Sequence, residues 1–539
     1  MPFVRPDSTN VVFVCPRFSP DSFWNYQATC AIVGKRYSAA PLGPITVAAL
    51  LPAEWNVRLI DRNVEELEDR DLDWADLVMI GAMLPQQRDA IEIMARAHAR
   101  GKLVAIGGPD VTCSPHVYAQ ADFQVLGEAE EVIGDLVAAW KRGDTRGVFQ
   151  ASGYPDIARS PMPRFDLLKL DRYLHVGVQF SRGCPYGCEF CNVIEINGHR
   201  PRVKAPEQML AELEALYRLG YRGHVDFVDD NLIGNRVALK SLLRLLKPWL
   251  SARGHPFEFT TEASVNLADD EELLNLMQET GFFAVFLGVE TPDQEALAAA
   301  HKAQNTHRDM VAGIERIYGA GIFVNAGFLI GFDTERASVA AGLTDFIEHA
   351  AIPVCMVGLL YALPNTQLAR RLETEGRLHP DHDRLLPDKI DQCMSGLNFD
   401  LKRPRREALA DYREVIERIY APEAYFGRVL RATRALDRSH AKFRPRFTQT
   451  LRELKALMRI CWRLGVRDRR ARAPWWRAFL GTLLHNPRAA KIAVSFGALY
   501  LHFGPLARRI SEHVAQRIAA ESVAPAVVVE RTLAHASGA

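Results

Sequence analysis

Cys184, Cys188 and Cys191 fall within eight residues, in the stretch Ser-Arg-Gly-Cys-Pro-Tyr-Gly-Cys-Glu-Phe-Cys-Asn. Three thiols in one tight turn have little to offer an apolar core. They are soft ligands, suited to a metal or cluster that wants them within a few ångströms of one another. The gaps of three residues and then two differ from the paired two-residue gaps of most structural zinc sites. Zinc is the rival, with His199 or Cys113 as a fourth ligand, but a closed zinc site usually has a second short pair and none is visible. A [4Fe–4S] cube held by only three cysteines keeps one iron open to a ligand, and that open iron is the chemical point of the triplet. Pro185 and Gly187 suit a loop that wraps a cube and turns amides toward its sulfurs.

Such a loop needs rigid elements on both sides, and the flanking sequence supplies them. From 176 to 181 an apolar run reads as a strand that delivers the cysteines. Strand-like runs follow at 225–230, 257–262, 284–290, 323–331 and 354–360, separated by amphipathic helices such as 207–219 and 270–280. Six βα units imply a partial or complete parallel barrel with its chemistry at the strand carboxyl ends. Asp229, Asp230, Glu262 and Glu290 all lie at or near those ends, where the bland reading for each is a helix cap. Ahead of the barrel, runs at 10–16, 57–61, 77–81, 103–109 and 123–128 alternate with helical stretches, as in a doubly wound, Rossmann-like sheet covered on both faces. Gly81, Gly107, Gly108 and Gly127 close several of these strands, where open α/β sheets bind ligands and backbone must approach closely. The expected organisation of this α/β chain is a doubly wound domain over 8–145, a linker over 146–172, a barrel over 173–400 and a helical region over 401–539.

The 539 residues carry a formal net charge of only +1, unevenly spread: residues 428–477 hold 16 Lys and Arg against 3 acids. Cysteines without pairing logic, no apolar run long enough for a bilayer and no secretory leader point to the reducing cytoplasm. Leu454, Leu457, Met458, Cys461 and Trp462 share a helical face among Arg452, Lys455, Arg459 and Arg463, and Trp475, Trp476, Phe479, Leu480, Leu483 and Leu484 continue the theme. Apolar and cationic residues mixed in this way suit a helix at the inner face of the cell membrane. A cap packed on the barrel and a nucleic-acid surface are the alternatives, with nucleic acid the weaker.

Cys-x-x-x-Cys-x-x-Cys with an aromatic residue, Phe190, before the third cysteine resembles the signature of the radical S-adenosylmethionine (radical SAM) superfamily. In that superfamily the open iron chelates the amino and carboxylate groups of S-adenosylmethionine, and one electron cleaves it to methionine and a 5′-deoxyadenosyl radical. The resemblance extends over the barrel. Residues 227–232 look like the motif that meets the methionine amino group, 288–291 like the motif with a cofactor-contacting acid, and 327–332 like the motif beside the adenine. It implies S-adenosylmethionine contacts for Phe190, Asp229, Asp230, Glu262, Glu290 and Gly331. The N-terminal sheet is similar to the cobalamin-binding domain of one large branch, notably at 106–109 and 126–130. That implies cobalamin contacts for Asn63, Gly81, Gly107, Gly108, Gly127 and Glu128. Where free-standing cobalamin domains often carry Asp-x-His-x-x-Gly, this chain has Asp61, Arg62, Asn63, Val64, Glu65 and Glu66, so cobalt would lack a protein histidine. Some members of the subgroup resemble hopanoid C-2 methylases. The resemblance therefore implies methylation of an unactivated carbon of a hydrophobic or hopanoid-type lipid, with electrons from a flavodoxin or ferredoxin. Radical rearrangement without net methylation, and RNA or small-molecule modification with a vestigial cobalamin domain, are the alternatives.

Overall fold

The computed structural model describes residues 5, 7–19, 22–23, 25–384, 394, 396–439, 442–443 and 447–523, and for 447–449 and 522–523 the backbone alone. The first seven strands among the described residues are β1 (Asn10–Cys15), β2 (Tyr37–Ala39), β3 (Asn56–Asp61), β4 (Leu77–Gly81), β5 (Leu103–Gly107), β6 (Phe123–Leu126) and β7 (Gly147–Gln150). Six of them form one parallel sheet in the order β3-β1-β4-β5-β6-β7. Its four central strands, β1, β4, β5 and β6, are apolar on both faces because both are covered. Val12, Val14, Val78, Ile80 and Ile106 point into one core, and Val11, Phe13, Leu77 and Met79 into the other. Period-two alternation thus serves two layers of helix at once, as a doubly wound sheet requires.

Eight strands complete the set: β8 (Tyr173–Val178), the short pair β9 (Ser181–Arg182) and β10 (Arg202–Val203), then β11 (Gly223–Phe227), β12 (Phe257–Ala263), β13 (Phe282–Glu290), β14 (Phe323–Ile330) and β15 (Cys355–Leu359). The six long ones form a parallel sheet in the order β15-β14-β13-β12-β11-β8, as the sequence led us to expect, and β2 adds a seventh strand beside β8. Its outward face (Val225, Phe227, Phe259, Leu287) packs on the helices and is fully buried. Antiparallel β9 and β10 bracket the cysteine loop.

The expected boundaries need two corrections. β7 lies beyond residue 145 yet pairs with β6, so the first sheet reaches Gln150 and its final strand takes the start of the supposed linker. Conversely, Tyr37 and Ala39 pair with Tyr173 and His175, so a piece of the N-terminal segment belongs to the barrel. The physical reason is the edge: β8 would otherwise present unpaired backbone groups on one side.

The C-terminal helices lie against the amino ends of the barrel strands. Phe496 of the 34-residue helix Ala490–Val523 packs on Phe323 with ring centroids 5.0 Å apart, and Lys491 pairs with Glu258 at 3.2 Å. Arg428, fully buried, donates to Ile352 O and pairs with Glu348. No helix among the described residues is long and apolar enough to cross a membrane.

Candidate active site

The cysteine loop is held from three directions. From the end of β11, Asp229 accepts from Phe180 N (3.0 Å), from Ser181 N and from Ser181 Oγ (2.6 Å), while Asp230 accepts from Gly183 N (2.9 Å) and Asn197 Nδ2 (3.1 Å). Both carboxylates thus brace the entry to the loop. Burial pushes Asp229 up to about 7, against the hydrogen bonds that favour its charge. Gly183 has φ +94, and a Cβ there would stand 2.8–2.9 Å from the carbonyl oxygens of Gly198, Arg200 and Asn197. Only glycine fits that crossing.

The far side of the loop is tied by Glu189. Its N–H donates to Ala300 O, its carbonyl accepts from Leu368 N and its buried carboxylate pairs with Arg371 at 3.0 Å. Toward the first sheet, Arg182 reaches Glu128 (2.6 Å) and Glu130 (2.8 Å), and Arg202 also pairs with Glu128. Glu128, expected at a cofactor, therefore joins the two sheets.

Within the loop, amide donors face sulfur: Gln304 Nε2 lies 3.5 Å from Cys188 Sγ and Asn231 Nδ2 lies 4.0 Å from Cys184 Sγ. Donors of this kind tune a thiolate-bound cluster. Burial pushes the Cys191 thiol up to about 12 and raises Cys184 as well. Among the described residues no three His, Cys, Asp or Glu side chains close around a single ion. A cube, whose irons stand at separate corners, does not require them to.

Glu290 follows a bulge at the end of β13 with φ +66, an uncommon conformation for a side chain other than glycine. Its carboxylate meets Lys302 Nζ at 2.6 Å, both groups almost buried. Burial opposes the Lys302 charge, but Glu290 and Cys188 more than offset it and raise the ammonium above its ordinary value. Gly288 leaves room for this pair, since a Cβ there would stand 2.6 Å from Glu290 Oε1 and 2.9 Å from Lys302 Nζ. Lys302 Nζ also sits 5.8 Å from the ring centroid of Phe190, which packs edge-on against Phe332. Three amide oxygens here, Asn231 Oδ1, Gln304 Oε1 and Asn305 Oδ1, are buried and take no donor from the protein. Open acceptors around soft ligands fit a molecule that carries an ammonium group, as S-adenosylmethionine does.

Glu262 stands apart from the loop on the inner face of the barrel. Its carboxyl group is open to the lumen, and desolvation by the barrel wall with Asp226, Asp230 and Asp229 pushes it up to about 8. Near it runs a chain of polar residues that the sequence reading missed. Thr260 hydrogen-bonds Asp226 and lies 2.6 Å from His224 Nε2, and His224 packs on His175 with ring centroids 4.8 Å apart. Burial and His175 drive His224 well below its ordinary value, leaving it neutral. The signal was available in the alternation of β11, where His224 and Asp226 take one face and Val225 and Phe227 the other. Lys302 and Gln304 carried no such signal, lying more than a hundred residues from the cysteines they approach. Gly331 (φ +117) directly follows β14, donates to Glu335 Oε1 at 2.8 Å and faces Leu397, whose Cδ2 would be 2.7 Å from an added Cβ.

The glycines of the first sheet gather at its carboxyl edge. Gly81 ends β4 and Gly107 ends β5. An added Cβ would stand 2.6 Å from Ala82 O at Gly108 and 3.0 Å from the Ala151 Cβ at Gly127, so close packing of neighbouring strand ends already demands glycine at both. Asn63 is fastened to Pro16 O (3.2 Å) and Asp61 Oδ1 (2.7 Å). The two histidines of the first 150 residues are engaged elsewhere, His98 with Asp122 (2.9 Å) and His116 with Asp383 (2.5 Å). This edge faces the cysteine loop: Asn192 Nδ2 is 3.9 Å from Cys113 Sγ, and Asn365 Nδ2 donates to Cys113 O at 3.0 Å. Ser114 Oγ is buried there without a partner, and exposed Met83 adjoins the apolar contact of Leu84 with Tyr361. A polar acceptor and an apolar wall between two sheet edges fit a broad, flat, amide-rimmed group such as a corrinoid.

Similarity to known proteins gives the class: the chain carries a radical SAM domain and belongs to a family of methyltransferases. Residues 178–341 match the model of the radical SAM superfamily, and residues 366–516 match a domain of unknown function, DUF4070. The chain is 42% identical over 495 residues to an uncharacterized methyltransferase of Synechocystis sp., covering 91% of each chain. It is 35% identical over 477 residues to the hopanoid C-2 methylase of Rhodopseudomonas palustris, covering 87% of this chain and 88% of that one. Among solved structures, the fold is similar to the cobalamin-dependent S-adenosylmethionine radical enzyme OxsB with aqua-cobalamin bound (TM-score 0.60, 16% identity, 96% of this chain and 81% of that one). It is also similar to the radical S-adenosylmethionine methyltransferase TsrM of Kitasatospora setae with cobalamin and a [4Fe–4S] cluster bound (TM-score 0.54, 16% identity, 83% of this chain and 95% of that one).

Proposed function

We propose that the protein methylates an unactivated carbon of a hopanoid-type lipid, holding a [4Fe–4S] cluster on Cys184, Cys188 and Cys191, S-adenosylmethionine beside it, and cobalamin at the carboxyl edge of the first sheet. The observation that carries this reading is the cysteine loop braced between the two sheet edges, in a chain 35% identical to a hopanoid C-2 methylase over nearly its whole length. When bound, the cluster, S-adenosylmethionine and cobalamin supply radical formation and the methyl group. The residues position and enclose. Asp229, Asp230 and Glu189 fix the loop, and Glu290 with Lys302 offers a paired charge beside the open acceptors of Asn231, Gln304 and Asn305. In this assignment Phe190 and Gly331 flank the S-adenosylmethionine, Glu262 presents its carboxyl group to the lumen, and Gly81, Gly107, Gly108 and Gly127 border the corrinoid. A flavodoxin or ferredoxin supplies the electron.

The test is anaerobic turnover with S-adenosylmethionine carrying a labelled methyl group and a hopanoid acceptor. Label should enter the lipid and deoxyadenosine should form. Replacing any one of Cys184, Cys188 or Cys191 by alanine should abolish both, and deoxyadenosine formed at the normal rate by such a variant would refute the cluster assignment. Loss of methylated hopanoids on deleting the gene checks the substrate in cells.

A further inference from the structure

The active site leaves one surface without a role. In the helix Phe447–Trp462 and the π-helical turn that follows it, Arg463–Arg467, the residues Ala456, Ile460 and Leu464 are buried at four-residue spacing. The opposite face repeats that spacing with apolar residues in the open: Leu451 is 43% exposed, Leu454 52%, Met458 58%, Trp462 61% and Val466 46%. A helix that needs one apolar stripe for its core carries a second. The sequence placed Leu457 and Cys461 on this face and continued it through Trp475, Trp476, Phe479, Leu480, Leu483 and Leu484. The fold half-buries Leu457 and Cys461, buries Trp475 and partly buries Trp476 and Phe479, which narrows the stripe, while Leu480, Leu483 and Leu484 stay exposed.

Cations line it. Arg452, Lys455, Arg463 and Arg467 are exposed, and Arg459 is exposed while donating to Ile32 O at 2.8 Å. The acids nearby are engaged elsewhere. Glu453 pairs with Lys491 at 3.4 Å, and Asp468 accepts from the backbone N–H groups of Arg470 (2.9 Å) and Ala471 (3.0 Å).

We propose that this face docks on an anionic lipid bilayer, with Leu454, Met458 and Trp462 at the acyl boundary and the flanking cations among the headgroups. The charge decides the occupant: two copies of this face would set like charges together, and nucleic acid would leave the apolar stripe in water. Docking here is peripheral, since no described helix can span. The inference concerns the surface alone and does not depend on which substrate the barrel takes.

Flotation of the full chain tests it, using vesicles of phosphatidylcholine alone or mixed with phosphatidylglycerol. The protein should float with the mixed vesicles, less so at high salt, and remain below with phosphatidylcholine. The double variant M458S/W462S should lose at least about tenfold in partitioning, because its two largest apolar contacts with the acyl boundary are removed. The triple variant R452E/K455E/R463E should lose flotation while its circular dichroism and thermal transition match wild type. Wild type that stays below in every gradient, variants that float like wild type, or a self-association or RNA binding that disappears in M458S/W462S without any flotation would each overturn the proposal.

Discussion

Asp229 is the residue on which the loop depends most directly, and its chemistry gives a measurable signature. Its carboxyl group is raised from an ordinary 3.8 to about 7, so the folded chain binds a proton that the unfolded chain has released. Between about pH 4 and pH 7 unfolding therefore releases that proton, and the contribution of Asp229 to stability falls as pH rises; above about 7 both states are ionised and the loss is complete. In Asp229→Asn the slope disappears. The stability of wild type relative to this variant, measured by urea denaturation without cofactors, should drop by up to about 1.4 kcal/mol per pH unit between pH 4 and 7 and be flat above. A difference independent of pH would mean that Asp229 is charged throughout. The sequence marked this carboxylate by its place at a strand end but assigned it to a ligand. What it holds, the backbone of Phe180 and Ser181, lies nearly fifty residues away, and strand pairing alone brings the two together.

Among the elements, the short ribbon of β9 and β10 decides whether the loop has a partner across the gap. Arg182 on β9 is matched by Glu128 and Glu130 from the first sheet, with all three side chains at least 87% buried. Arg182→Ala would leave those carboxylates with Arg202 and Ser160 only. Breaking one side of a buried charge set costs about 3–5 kcal/mol, so the variant should unfold at lower urea by about that amount; a loss under about 1 kcal/mol would mean that the clamp is solvated. Long elements were legible because their apolar periods are strong, as in β4, β5 and β14. The ribbon was not: two-residue strands have no period, and their charged residues read as surface. β7 was lost for a related reason, since its residues alternate between exposed and half-buried and leave no apolar run. The outward stripe of the 447–462 helix was legible only in part, because apolar residues on two faces blur the moment that would separate inside from outside.

Taken as a whole, the molecule is two sheets whose chains interleave. β2 leaves the first domain's stretch of sequence to pair with β8, and the helix Gln27–Val33 beside it reaches the C-terminal helices, where Thr29 Oγ1 donates to Ala498 O at 3.0 Å. Three residues of Tyr-Ser-Ala carry no pattern that would have revealed this. A chain begun at residue 160, with the loop and every long barrel strand intact, lacks β2 and should give no cooperative thermal transition by circular dichroism; a sharp transition would show the edge strand to be dispensable.

The same pairing bears on how the protein is made and inherited. On the ribosome, Tyr37 emerges long before Tyr173, so the barrel's edge strand must wait, unpaired, while the entire first sheet is synthesised and folds around it. The barrel can close only afterwards. A gene for the barrel that acquired or lost its N-terminal partner as a block would gain or lose a barrel strand in the same event.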